Sequence, residues 1–272
     1  MSFFEIFKAF INSAAEILPL SGNAQTRIAD MIYYPLTSGN AMSLAAALAD
    51  FGGMAAVVYV FRKKILLLLK AFWGMLGKAG KKAVNAEDKK EIKMLLIASC
   101  PILAAIFLKS VFGSISRGWI IFVIALAVSG AMLFAADKFK GGEAGAIGVP
   151  LPDALMTGAF RLLGFIPGMS GTAAALFGGA LSGFSADFNC EFTFLTLIPV
   201  LLGKGIYNLS RVKADPGISV VSTCILVGFA VFAFGAVGIG KTRDMIFSGK
   251  LKLFSYILWA EALLALILSV RG

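Results

Sequence analysis

The chain has 272 residues, 59% of them hydrophobic and only 15% charged. A soluble domain is about half apolar and about a quarter charged, and the mean hydropathy here is +0.88, so a water-soluble domain is excluded. A polytopic membrane protein is expected, with length for roughly six to eight short hydrophobic segments. The formal net charge of +10 fits Lys/Arg-rich cytoplasmic loops better than nucleic-acid binding. Histidine is absent, which removes the commonest general base and metal ligand. Cys100, Cys190 and Cys224 match neither a metal spacing nor a disulfide framework. The beginning, MSFFEIFKAF, lacks the basic region and cleavage site of a signal peptide, so residue 1 is read as part of the mature chain.

Residues 3–20 form a first apolar segment carrying Glu5, Lys8 and Glu16, and it ends at Pro19. Residues 21–41 are too polar for a free span and too apolar for a loop. A re-entrant hairpin is expected, since irregular backbone at membrane depth is tolerated where protein covers it. Residues 42–61 are a span rich in small residues, with Asp50 at its centre. From Arg62 to Lys93 ten Lys/Arg stand against three acids, which places the stretch 62–93 in the cytoplasm. Residues 94–108 and 119–136 are two further spans joined through Gly113 and Gly118, and 137–152 is a Gly/Pro-rich linker. Residues 153–165 form a short helix. Spans at 192–210, interrupted by Pro199, at 217–240 and at 254–270 complete the chain. A basic loop with Lys241, Arg243, Lys250 and Lys252 separates the last two. The expected fold is an all-α integral membrane domain covering 1–272, with about six transmembrane helices and two re-entrant helix hairpins. Pseudo-repeats at about 1–136 and 153–272 make it an inverted repeat.

Two apolar segments are broken in the same way: ILPLSGNA from Ile17 to Ala24, and FIPGMSGTAAALFGGAL from Phe165 to Leu181. Each reads Pro, a short spacer, Ser-Gly, a polar residue and Ala. Matching interruptions in the two halves of a membrane protein point to a midplane binding site. A broken helix exposes backbone N–H groups at a new helix N-terminus, which attracts phosphate or carboxylate. Ser21, Asn23, Ser170 and Thr172 add side-chain donors, and Gly22, Gly168 and Gly171 allow close backbone approach. Ionisable residues at membrane depth are costly and usually functional. Here they are Glu16, Asp50, Arg161, Glu191, Lys204 and Glu261, with Arg27 just outside the first break. Lys204 reads as a cation for the site or as the salt-bridge partner of Glu191 or Glu261. Asp50 reads as a helix–helix hydrogen-bonding residue.

The run NSAAEILPLSGNAQ, the run PGMSGTAAALFGGALSGFS followed by FTFLTLIPVLLG, and the segment FGGMAAVVYVFRKKI resemble the bacterial undecaprenyl-diphosphate phosphatases, also called bacitracin-resistance proteins. The family's first motif is E-x-x-x-E-F-L-P-[IV]-S-S-[ST]-G-H and its second is P-G-x-S-R-S-G-[AS]-T. Glu16, Ser21 and Ser170 match them. Asn12, Gly22, Gln25, Gly171 and Ala175 stand where the family has glutamate, serine, histidine, arginine and threonine. The resemblance implies hydrolysis of undecaprenyl diphosphate to the monophosphate, with Glu16, Ser21 and Ser170 catalytic. It implies Mg2+ or Ca2+ held by Glu16 and the diphosphate. Asn23, Gln25, Gly168, Gly171 and Thr172 would contact phosphate, and Arg27 or Arg161 would replace the missing arginine. The expected partners are a polyprenyl (di)phosphate and the bacterial cell membrane, with a homodimer as one option and no nucleic acid. With so many motif positions changed, a binder or transporter of polyprenyl phosphates or another amphiphilic anion is the alternative. A small-solute secondary transporter is a third reading.

Overall fold

A computed structural model of the chain describes residues 3–33, 40–76, 85–107, 118–139, 142–212 and 216–271. They form twelve α-helices and no strand. In order these are α1 (Phe3–Ile17), α2 (Gly22–Tyr33), α3 (Asn40–Val60), α4 (Arg62–Leu76), α5 (Ala86–Phe107) and α6 (Trp119–Lys138). There follow α7 (Leu151–Leu162), a 3-10 turn (Leu163–Phe165), α8 (Gly171–Leu181), α9 (Ala186–Leu195), α10 (Leu197–Ser210), α11 (Ile218–Phe247) and α12 (Lys252–Arg271). Among the described residues five stretches are long and apolar enough to cross a membrane: Ala41–Val60, Trp119–Lys138, Ala186–Ser210, Ile218–Phe247 and Lys252–Ser269. The chain is thus an all-α, multi-pass membrane protein.

Several element bounds differ from the sequence reading, each for a local reason. α5 begins at Ala86, well before the apolar run at 94, because Glu87 and Asp88 in its first turn suit the positive end of the helix dipole. Its charged beginning keeps it outside the five apolar spans. The span at 192–210 is two helices meeting at Thr196. Pro199 has no N–H for the Leu195 carbonyl, and at the junction the Thr196 hydroxyl turns back into α9, donating to Phe192 O at 2.9 Å and Thr193 O at 3.0 Å. α11 runs through Lys241 and Arg243 to Phe247, so the basic loop shrinks to 248–251. Residues 142–150 are no loose linker: Ala146 and Val149 are buried with Phe184, Phe188 and Phe192. Gly113 and the tip of the 62–93 stretch lie outside the described residues.

The halves interleave. α3 packs most extensively on α11, and α6 packs on α12. At the first crossing a Cβ on Gly52 would lie 2.1 Å from Gly228 O, so the two backbones touch. Close approach of this kind lets membrane helices gain dispersion contacts where no hydrophobic force acts between them. Gly52→Leu is therefore expected to cost about 3 kcal/mol or more, as overpacking against rigid backbone does. Gly53→Ala should cost less than about 1 kcal/mol, because its Cβ meets only side-chain ends, Ile17 Cδ1 at 3.1 Å and Leu201 Cδ1 at 3.4 Å. Thermal unfolding in detergent compares the two, and equal melting would contradict the backbone contact.

One end of the bundle gathers charge. Lys64 pairs with Glu91 at 2.8 Å and with Glu191 at 3.4 Å. Arg243 pairs with Asp187 at 2.8 Å, and Lys90 donates to Ile147 O at 2.6 Å. The beginnings of α4, α5 and α9 and the last turns of α11 therefore share one side.

Candidate active site between two helix breaks

At the first break α1 stops at Ile17, two residues before Pro19, and α2 restarts at Gly22. A Cβ on Gly22 would lie 2.3 Å from Asn12 O and 3.0 Å from Glu16 Cγ. The bare glycine thus lets α2 start against the turn that carries Glu16. At the second break Ile166-Pro167-Gly168-Met169 makes a tight turn, with Met169 N–H donating to Ile166 O at 2.9 Å. Gly168 has φ +95°, the conformation that the third position of a type II turn after proline requires. Ser170 then caps α8, its Oγ accepting from Ala173 N–H at 3.2 Å. Ser129 of α6 holds the turn in place by accepting from Ser170 N–H at 2.9 Å.

The two breaks meet. Thr172 Oγ1 donates to Glu16 O at 2.8 Å, across 156 residues of sequence. Between them lies a cavity of about 30 Å³ lined by Glu16, Gly22 and Asn23 from the first break and by Arg161, Gly171 and Thr172 from the second. Lys204 closes it from α10, and its ammonium forms an ion pair with Glu16 Oε1. Arg161 is 3% exposed. Its Nη2 donates to Thr193 O, and its Nε has no hydrogen-bond partner among the described residues. A buried guanidinium thus stands at the cavity wall with a donor to spare.

Not every residue expected at the site reaches it. Ser21 and Ser170 are both 1% exposed and stand behind the lining. Ser170 is occupied as a cap, and Ser21 Oγ has no partner among the described residues. Gly168 faces α6, where a Cβ would lie 2.6 Å from Phe122 O, so its bare face serves the turn and not the cavity. Gln25 turns toward α12 and donates to Glu261 Oε1 at 2.7 Å. Arg27 lies over the rings of Trp119 at 4.6 Å and Phe122 at 4.9 Å, so of the two arginines only Arg161 lines the cavity. Asp50 is a helix–helix residue: it accepts from Ser13 Oγ at 2.7 Å and Asn208 Nδ2 at 2.9 Å, tying α1, α3 and α10. The partner of Lys204 is Glu16, not Glu191 or Glu261. Sequence reasoning missed Ser13, Ser129 and Asn208.

A family model described as bacitracin resistance protein BacA matches residues 5–264. The chain belongs to the BacA family. Three curated relatives fit this membership. An undecaprenyl-diphosphatase of Alkaliphilus metalliredigens is 24% identical over 99% of both chains. One from Thermosipho africanus is 27% identical over 96% of this chain and 97% of its own. Undecaprenyl-diphosphatase 3 of Acinetobacter baylyi is 29% identical over 77% and 76%.

The cavity of this BacA-family chain does not fit a divalent cation. Among the described residues Glu16 is the one carboxylate on the wall, so a divalent cation would depend on Glu16, the diphosphate and waters. No group of three or more His, Cys, Asp or Glu side chains gathers anywhere among the described residues. The Glu16 oxygen that would hold a metal already carries the Lys204 ammonium.

Proposed function

We propose that this chain binds the headgroup of undecaprenyl diphosphate between its two helix breaks and hydrolyses it to undecaprenyl phosphate and inorganic phosphate. Family membership and the relatives named undecaprenyl-diphosphatase support the reaction. One observation carries the assignment to this cavity: a carboxylate, Glu16, shares it with two cations, Arg161 and Lys204, and with the beginnings of α2 and α8. Phosphoryl transfer needs charge neutralisation, an aligned nucleophile and a proton acceptor. Arg161 and Lys204 offset the phosphate charge, and the N–H groups at the beginnings of α2 and α8 orient it. A water attacks the terminal phosphorus in line and gives its proton to the Glu16 carboxylate. The bond from that phosphorus to the bridging oxygen breaks, and its electron pair leaves on the lipid monophosphate.

The setting follows from lengths. α1 has 15 residues and α2 has 12, while α7 has 12 and α8 has 11. At about 1.5 Å per residue each is shorter than the roughly 30 Å apolar core. Each pair therefore enters the bilayer and returns, bringing the breaks to membrane depth. The basic end of the bundle faces the cytoplasm of a bacterial cell.

A second reading, binding or carriage without hydrolysis, is favoured by the two serines standing behind the lining and by the Lys204 hold on Glu16. Purified protein in detergent, given undecaprenyl diphosphate, decides between them. Release of inorganic phosphate supports hydrolysis. Retained lipid diphosphate with no release selects the second reading, and no binding removes both.

A further inference from the structure

We propose that Lys204 does the work of a divalent cation, so that this site takes a diphosphate without metal. The inference rests on the headgroup reading above and deepens it. Lys204 lies one turn after Val200 and one turn before Asn208 on α10, which aims it between α1 and α8. Its side chain is 15% exposed and that of Glu16 is 12%, so the pair sits in the cavity wall rather than in solvent. An ammonium has three N–H donors. One is spent on Glu16 Oε1, and two are left for phosphate oxygens. The group thus joins a carboxylate to a phosphate, as a metal ion bridging the two would.

The charges agree. Glu16 contributes one negative charge, and Lys204 and Arg161 each contribute a positive one. The cavity is positive before any ligand enters, and the partial charges of two helix N-termini add to this. A divalent cation would have to sit where the ammonium sits, against the repulsion of both Lys204 and Arg161. The cavity is small, about 30 Å³, and Lys204 stands in its wall. The tethered Lys204 can swing with an incoming phosphate while it keeps its hold on Glu16.

The test titrates a farnesyl methylenediphosphonate, which cannot be cleaved, into purified protein by calorimetry, once in EDTA and once in Mg2+ or Ca2+. The expected Kd is the same in both buffers within about twofold. Lys204→Arg should keep binding in EDTA, and Lys204→Gln should weaken it roughly 10- to 100-fold, the loss of one or two charge-assisted hydrogen bonds. Metal should then restore much of the Lys204→Gln loss, because the Glu16 oxygen is vacated. If Lys204→Gln does not fold, the double variant Lys204→Gln, Glu16→Gln removes both members of the ion pair together. It should lose binding in both buffers. Wild-type binding that appears only with metal, or unchanged binding by a Lys204→Gln protein in EDTA, overturns the proposal. Absence of wild-type binding in both buffers removes the headgroup reading and this one with it.

Discussion

Glu16→Gln is expected to lower the turnover rate for phosphate release from a prenyl diphosphate by about 10³- to 10⁴-fold while leaving substrate binding intact. General-base contributions are typically about 10²- to 10⁴-fold. The upper part of that range applies because the chain contains no histidine and Glu16 is the one carboxylate on the cavity wall. Glutamine keeps the shape and still offers an oxygen to Lys204, so the side-chain link between α1 and α10 survives. Removing the negative charge also frees the ammonium for phosphate, so KM should stay level or fall. A loss confined to kcat marks an interaction made in the transition state rather than in binding. Single-turnover phosphate release and a parallel titration separate the two terms. Full turnover by the Gln variant would remove Glu16 as the base, and a raised KM would make it a binding residue.

What the sequence makes legible is what chain-local chemistry controls. Apolar run length marks spans, and Pro, Gly and Ser mark breaks, so both interruptions and the all-α membrane class are visible before any contact is known. The helix bounds are less so, because hydropathy reports surroundings and not backbone conformation. Glu87 to Lys93 is charged and still helical, since α5 continues out of its apolar part. Pro199 signals an interruption, yet the break falls at Thr196, where the missing donor leaves its gap.

At the site, Glu16, Asn23, Arg161, Gly171 and Thr172 are placed by their nearness to the breaks, and they do line the cavity. Pairing is another matter. The sequence offers Lys204 two acids, Glu191 and Glu261, and the one it meets, Glu16, lies 188 residues away. Only the packing of α1 and α10 on the same helix, α3, decides this. Arg27 and Arg161 look equivalent along the chain. The difference is an aromatic face: Trp119 and Phe122 lie beneath Arg27, and no local pattern announces that α6 will bring them there. A signal was present for part of this network. Ser13 and Glu16 are three apart on α1, and Lys204 and Asn208 are four apart on α10. Each pair shares a helix face, and two such polar faces in apolar helices have to find each other.

Arg161→Leu separates function from stability most sharply. A guanidinium that is 3% exposed, with one hydrogen bond to a carbonyl and an unused Nε, is a net cost to the folded chain. Leucine removes that cost without stranding Glu16, which keeps Lys204 as its partner. The melting temperature in detergent is therefore expected to hold or rise. Diphosphate affinity and kcat/KM should fall by about 10²- to 10³-fold, the usual consequence of deleting a positioned donor to a phosphate or oxyanion. Arg161→Lys keeps the charge and loses the planar fork, so its kcat/KM should lie between wild type and the leucine variant. A leucine variant that melts lower and binds as wild type would make Arg161 a structural clamp on α9, through Thr193, and would leave Lys204 as the cavity's sole ligand cation.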